Sequence, residues 1–173
     1  MPNLAEFASA LCETLPPPCI DVIAQADVPG LDGGPFDPSL AQMLGGQSSL
    51  DWGDLNTHKR SLAESGLWLL AGDLDRSHTI SQSIDHPSGS FWHGIMHRRE
   101  GDFGNSKYWF RLAGKHPALE LIYKYSDGDY LDPFDFVNAC QKALRKPGEA
   151  TERCKAAQWI EWQALMLYSV GAA

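Results

Sequence analysis

The sequence predicts an all-α fold, and three observations carry that expectation. From about residue 56 onward apolar residues recur at helical spacing, and no stretch of four or more residues alternates as a strand would. Gly-Asp pairs punctuate that region, at Gly72-Asp73 and Gly101-Asp102, where a helix end followed by a helix start is expected. The 173 residues, 43% hydrophobic and 21% charged, are enough for a single domain over residues 1–173 with a buried core, and argue against wholesale disorder.

The elements follow in order. Residues 3–14 read as a short helix: Asn3 can cap it, Glu6 sits three positions on, and Leu4, Phe7, Ala8 and Leu11 share a face. Pro16, Pro17 and Pro18 end it. Residues 19–36, running through DVPGLDGGPFD, have the turn chemistry of an ordered loop or a tether. Asp37 and Pro38 read as N-cap and first helical position of a short helix to about Leu44, with the flexible GGQSS at 45–49 after it. Residues 1–56 are therefore expected to be a loop-rich segment before a helical core at 57–173. In that core, helices are predicted at 57–71, 74–84, 90–100, 104–113, 116–125, 133–145 and 149–170. The last carries Ala156, Ala157, Ile160, Ala164, Leu167 and Tyr168 at helical spacing, beside Trp159 and Trp162, and is expected to close the fold against the core.

An internal repeat organises the core. SGLWLLAGDLDRSHTISQSI (65–84) and GIMHRREGDFGNSKYWFRLA (94–113) superpose at an offset of 29 residues. In each, a helix ends at a glycine suited to the left-handed C′ position, and an aspartate then caps the next helix. A third Gly-Asp-Tyr at 128–130 falls 27 residues later, but Pro133 breaks the matching helix. The stretch GIMHRREGDFGNSKYWFRLAGKHPA resembles a Sel1-like or tetratricopeptide-type repeat. Gly94, Ser106, Phe110 and Ala113 occupy the small, small, aromatic and alanine places, and Pro117 lies near the terminal proline. The resemblance covers about 50 residues in two units. The first unit departs further, with Ser65, Ser77, Ser81 and Ile84 at the same places. It implies an irregular scaffold of helical hairpins, often used for binding, and nothing catalytic.

Composition narrows the function classes. With 14 Lys+Arg against 22 Asp+Glu the formal net charge is −8, so a phosphate backbone is an unfavourable partner and nucleic acid is not expected. No apolar run approaches the roughly 20 residues needed to span a bilayer, so no membrane partner is expected. The N-terminus has no basic flank and contains Glu6 and Glu13, unlike a signal peptide, which leaves a cytoplasmic location as the default. Cys12, Cys19, Cys140 and Cys154 lack C-x₂-C spacing and read as reduced structural residues. There is no G-x-S-x-G elbow, no P-loop and no G-x-G-x-x-G. DGDYLDPFD lacks the glycine and terminal Glu of a calcium loop and reads as a solvated loop with an Asp132-Pro133 cap.

One segment stands apart. Between His93 and His116 the balance is +3, leaving −11 on the other 149 residues, and aromatics are interleaved with the cations. Lys107 and Arg111 are four apart on one helix face, a repulsive spacing unless an acidic neighbour or a bound anion sits nearby. His93 and His97 are spaced i, i+4, as two imidazoles on one metal are, but residue 94 is Gly, so H-E-x-x-H is absent. Further ligands would come from His78, His86 or a carboxylate, with His58 and His116 more distant. A helical wheel puts both histidines opposite the stripe of Phe91, Trp92, Ile95 and Met96, facing solvent or a groove, whereas the repeat alignment puts them in the seam between helices. Arg99 falls on the apolar stripe and either snorkels or pairs with a carboxylate, Asp102 and Asp73 being candidates.

Three function classes follow. The first is a binding protein whose groove of His78, His93, His97, Arg98, Arg99, Lys107, Tyr108, Trp109 and Arg111 holds a small anionic molecule or peptide. There Arg98, Arg99 and Arg111 would clamp charge, and Tyr108 and Trp109 would form flat walls. The second is a metal-dependent hydrolase or isomerase, with a divalent transition metal on His93 and His97 and Glu100 as general base. The third is a helical interaction scaffold whose polar residues only knit helices together.

Overall fold

The seven helices expected from residue 57 onward all form, each within three residues of its expected ends. The computed structural model describes residues 7–45 and 52–172, and among these residues the chain forms ten helices and no strand. They are α1 (Phe7–Thr14), α2 (Pro17–Gln25), α3 (Pro38–Gly45), α4 (Thr57–Leu70), α5 (Leu74–Ser81), α6 (Pro87–Glu100), α7 (Phe103–Ala113), α8 (Ala118–Tyr125), α9 (Pro133–Arg145) and α10 (Glu149–Val170). Asn3, Leu4, Glu6 and residues 46–49, read above as a cap region and a flexible stretch, lie outside the described residues. No helix among the described residues is long and apolar enough to cross a membrane.

The N-terminal segment departs from its expected loop. Residues 17–25 form α2, because Pro16 takes the N-cap and Pro17 opens the first turn. There a missing N–H leaves no bond unmade. Cys19 and Val22 are then fully buried. The following loop is fastened to the core at three points. The Gln158 amide donates to the Pro29 and Gly30 carbonyls (3.2 and 2.9 Å), Arg99 holds Asp32 and Gly33, and the Asp37 N–H donates to the Ala71 carbonyl at 2.9 Å.

Local signals explain the hairpins. Gly72 and Gly101 take φ of +79° and +92°, where a side chain would be strained. The Asp73 and Asp102 carboxylates accept from the Arg76 and Asn105 N–H groups at 3.0 and 2.9 Å, capping α5 and α7. Within the first helix pair the Ser65 hydroxyl lies 3.2 Å from that of Ser77. Within the second, the Ser106 hydroxyl donates to the Gly94 carbonyl at 2.8 Å. A β-carbon on Gly94 would meet the Phe110 ring at 3.1 Å, so a small residue is what lets α6 and α7 close.

Helix α10 is a central strut rather than a lid on one side. Fourteen of its 22 residues are buried, and it packs against α1, α4, α6, α8 and α9. Trp92 and Trp162 each satisfy their indole N–H when buried, on the Ser169 hydroxyl and the Gly66 carbonyl (both 2.9 Å). Phe7 sets the edge of α1 against Trp159 and Trp162, whose rings stack 5.2 Å apart.

Candidate metal centre

Helices α5 and α6 pack side by side, and this brings His78 from the first onto His93 and His97 of the second. Ring centroids are 4.6 Å apart for His78–His93, 5.4 Å for His78–His97 and 4.6 Å for His93–His97. One nitrogen from each ring lies within 4.8 Å of the other two. His93 and His97 are 1% and 7% exposed, so both occupy the seam that the repeat alignment assigns them, not the open face that the wheel suggests. The wheel fails because α6 is buried on almost every side, from Ser88 through Arg99.

The far nitrogens of the two buried rings are held. Ser81 Oγ donates to the His78 carbonyl (3.2 Å) and lies 3.0 Å from His93 Nδ1. Nδ1 is thus the ring nitrogen of His93 that the Ser81 hydroxyl engages. Glu100 Oε1 lies 2.5 Å from His97 Nδ1 and accepts its proton, which leaves Nε2 of His97 as the ligating atom. A carboxylate and a hydroxyl on the far nitrogens are the supports that orient metal-bound imidazoles. Burial, and then the neighbouring His97 and His78, push the His93 pKa down to about 3. His93 is thus neutral at physiological pH, the form a metal requires. Trp109 of α7 stacks on it at 4.0 Å, closing the seam from the other side.

The other predicted site residues are not gathered there. Arg98 is fully buried and faces α10, where its guanidinium pairs with both Glu161 oxygens, one at 3.0 Å, and donates to Gln158 Oε1 at 3.2 Å. Burial alone would lower its pKa, but the Glu161 carboxylate outweighs this and holds it above the ordinary arginine value. Arg99, 4% exposed, meets neither Asp102 nor Asp73. It donates instead to the backbone carbonyls of Asp32, Leu69 and Gly33, at 3.2, 2.5 and 3.0 Å. Burial, and then the adjacent Arg98, lower its pKa to about 10. Both arginines are therefore occupied inside the protein and leave no fork for an external anion.

Lys107 and Arg111 point toward α9. The Lys107 ammonium donates to Asn138 Oδ1 at 2.6 Å, and the Arg111 guanidinium lies 5.9 Å from the Phe134 ring centre. Tyr108 is half-exposed, its ring edge-on to Trp109 at 5.6 Å. His58 and His86 pair with each other at 4.9 Å. His116 is buried beside Ser88, its Nδ1 accepting from the Ala118 N–H at 3.1 Å and its Nε2 lying 2.9 Å from the Ser88 hydroxyl. Asp102 also lies near His97 and Glu100, but it is exposed and its carboxylate is engaged in capping α7.

Sequence reasoning names the three histidines but misses Ser81 as a support and Glu161 as the partner of Arg98. The signal for Glu161 was present: Gln158, Glu161 and Gln163 interrupt an otherwise apolar stretch over 156–168, and buried polar groups need partners. No protein-family model, curated protein or solved structure matches this chain.

Proposed function

We propose that the chain binds one divalent transition metal ion through Nε2 of His93, Nε2 of His97 and a ring nitrogen of His78. The observation that carries this reading is the convergence of three ring nitrogens within 4.8 Å of one another, with Nδ1 of His93 and of His97 engaged by Ser81 and Glu100. Three imidazoles suit zinc, copper, iron or nickel and leave a coordination position open. A tetrahedral ion with bonds of ~2.0–2.1 Å needs its nitrogens ~3.4 Å apart, so side-chain shifts of roughly 1 Å suffice. When bound, the ion would supply Lewis acidity in a seam where His78 is the partly exposed ligand, which favours a hydrolytic or isomerising enzyme over a passive binder. The small anionic ligand expected from the basic segment would then bind at the open position of the ion instead of an arginine clamp. Glu100, already committed to His97, acts as a positioning residue rather than a general base.

The scaffold that presents the site is read as a pair of Sel1-like or tetratricopeptide-type hairpins, α4–α5 and α6–α7. The equivalent close approaches at Ser65–Ser77 and Gly94–Ser106 support that reading, since both bring positions twelve apart together.

Elemental mass spectrometry on protein made without a histidine tag tests the metal. Zinc loading and dialysis should leave near one equivalent on the wild type and less than about a tenth on His97→Ala, with circular dichroism unchanged. Equal metal on both proteins, or none on either, overturns the proposal. A His97→Ala protein that unfolds instead supports the plain scaffold reading.

A further inference from the structure

Helices α9 and α10 pack against each other across the short turn at Lys146, Pro147 and Gly148. The Thr151 hydroxyl donates to the Ala143 carbonyl at 3.4 Å, so these two positions, equidistant from Pro147, face each other across the turn. Cys140 and Cys154 lie one helical turn further along the same seam and are again equidistant from Pro147. The register sets one free thiol against the other, and the Cys140 S–H donates to the Cys154 sulfur.

The two thiols are not equivalent. Cys140 is fully buried, whereas Cys154 lines an open cavity of about 240 Å³ beside Arg153, Ala139 and Phe136. The hydrogen bond from Cys140, with the Arg98 and Arg153 guanidinium groups, outweighs burial and the Asp129 carboxylate and holds the Cys154 thiol below its ordinary pKa. The same hydrogen bond, together with burial, holds Cys140 above it. Arg98 acts on both sulfurs, and its buried Nε–H has no hydrogen-bond partner. We infer that Cys154 and Cys140 form a redox dithiol, in which Cys154 reduces a small hydroperoxide at the cavity and Cys140 resolves the product as a disulfide between α9 and α10. Access selects the oxidant by size: hydrogen peroxide reaches a residue that is 7% exposed, and a bulky disulfide does not. The Cys154 sulfur attacks one peroxide oxygen, the O–O bond breaks, and the departing hydroxide takes the Cys154 proton as water, leaving a sulfenic acid. The Cys140 sulfur then attacks that of Cys154, the S–O bond breaks, and hydroxide leaves as water with the Cys140 proton. Two thiols and one peroxide thus give one disulfide and two waters, and the peroxide gains the electron pair that the sulfurs lose.

Intact and peptide mass spectrometry of the full chain tests the inference, after treatment with an equivalent of hydrogen peroxide and alkylation by iodoacetamide in urea. The wild type should carry the alkyl group on Cys12 and Cys19 alone and yield a cross-linked peptide joining Cys140 to Cys154. Cys140→Ala should stop at a Cys154 sulfenic acid that dimedone traps. That trapping should be about tenfold faster than trapping at Cys140 in Cys154→Ala. Alkylation of all four cysteines in the treated wild type, or a cross-link through Cys12 in place of Cys154, overturns the inference whether or not the variants fold. Equal trapping at the two positions in folded variants overturns the assignment of Cys154 as the attacking thiol.

Discussion

Replacing Glu161 by Gln should be among the most damaging single changes to this fold. The two side chains of the Arg98–Glu161 pair have no solvent exposure, and Glu161 Oε1 also accepts from the Tyr130 hydroxyl at 2.7 Å. In Glu161→Gln the guanidinium stays buried between the Phe136 and Phe110 rings, 4.7 and 5.9 Å from their centres, with no anion left. Its Nε–H already lacks a partner, so no other group in the site takes up the charge. Breaking one side of a buried ion pair costs about 3–5 kcal/mol. For a domain of this length each kcal/mol shifts the melting temperature by about 2–4 °C, so a loss of about 6–20 °C is expected. Removing the network whole, by combining Arg98→Met, Glu161→Leu and Tyr130→Phe, should stay within about 2 kcal/mol of the wild type, because no buried charge remains. Thermal and urea unfolding followed by circular dichroism measures both. A Glu161→Gln protein within about 1 kcal/mol of the wild type, or a triple variant less stable than the single one, would refute the reasoning.

Three further outcomes follow from the packing. Burial, and then His86, lower the His116 pKa to about 4 from an ordinary 6.5, so the native state holds this ring neutral. Its contribution to stability is then complete above pH 6.5 and is lost as pH falls toward 4, by up to about 3 kcal/mol, and His116→Asn should flatten that part of the stability–pH curve. Gly94→Ala should lower stability by about 1–3 kcal/mol through the 3.1 Å approach to Phe110. Gly104→Ala, whose nearest neighbour is 3.5 Å away, should be neutral or stabilising in the same melts. Native maleimide labelling read by intact mass should give one rapid adduct, at exposed Cys12, since Cys19, Cys140 and Cys154 are buried.

Helix positions were largely legible because their signals are local. Gly-Asp punctuation and capping aspartates fix α4 to α7 without reference to the rest of the chain. Helix α2 was hidden because a proline run reads as a stop, although prolines at the start of a helix cost nothing. The same effect moved the start of α6 back to Pro87, with His86 capping it through the Ser88 N–H. Long-range partners were not legible. Arg98 reads as a surface clamp until Glu161, 63 residues away, is brought against it. Arg99 reads as a snorkelling cation until the 29–37 loop folds over its guanidinium. The histidines at 93 and 97 were legible as a spacing, and Glu100 lies three residues from His97 on the same helix, but the Ser81 hydroxyl and the third ring, His78, reach them only through the packing of α5 on α6.

X-ray absorption at the zinc edge of the reconstituted protein tests the central claim most directly. The account predicts a shell containing three imidazole nitrogens at about 2.0–2.1 Å, falling to two in His78→Ala. A shell dominated by sulfur, or an imidazole count unchanged in His78→Ala, would contradict it.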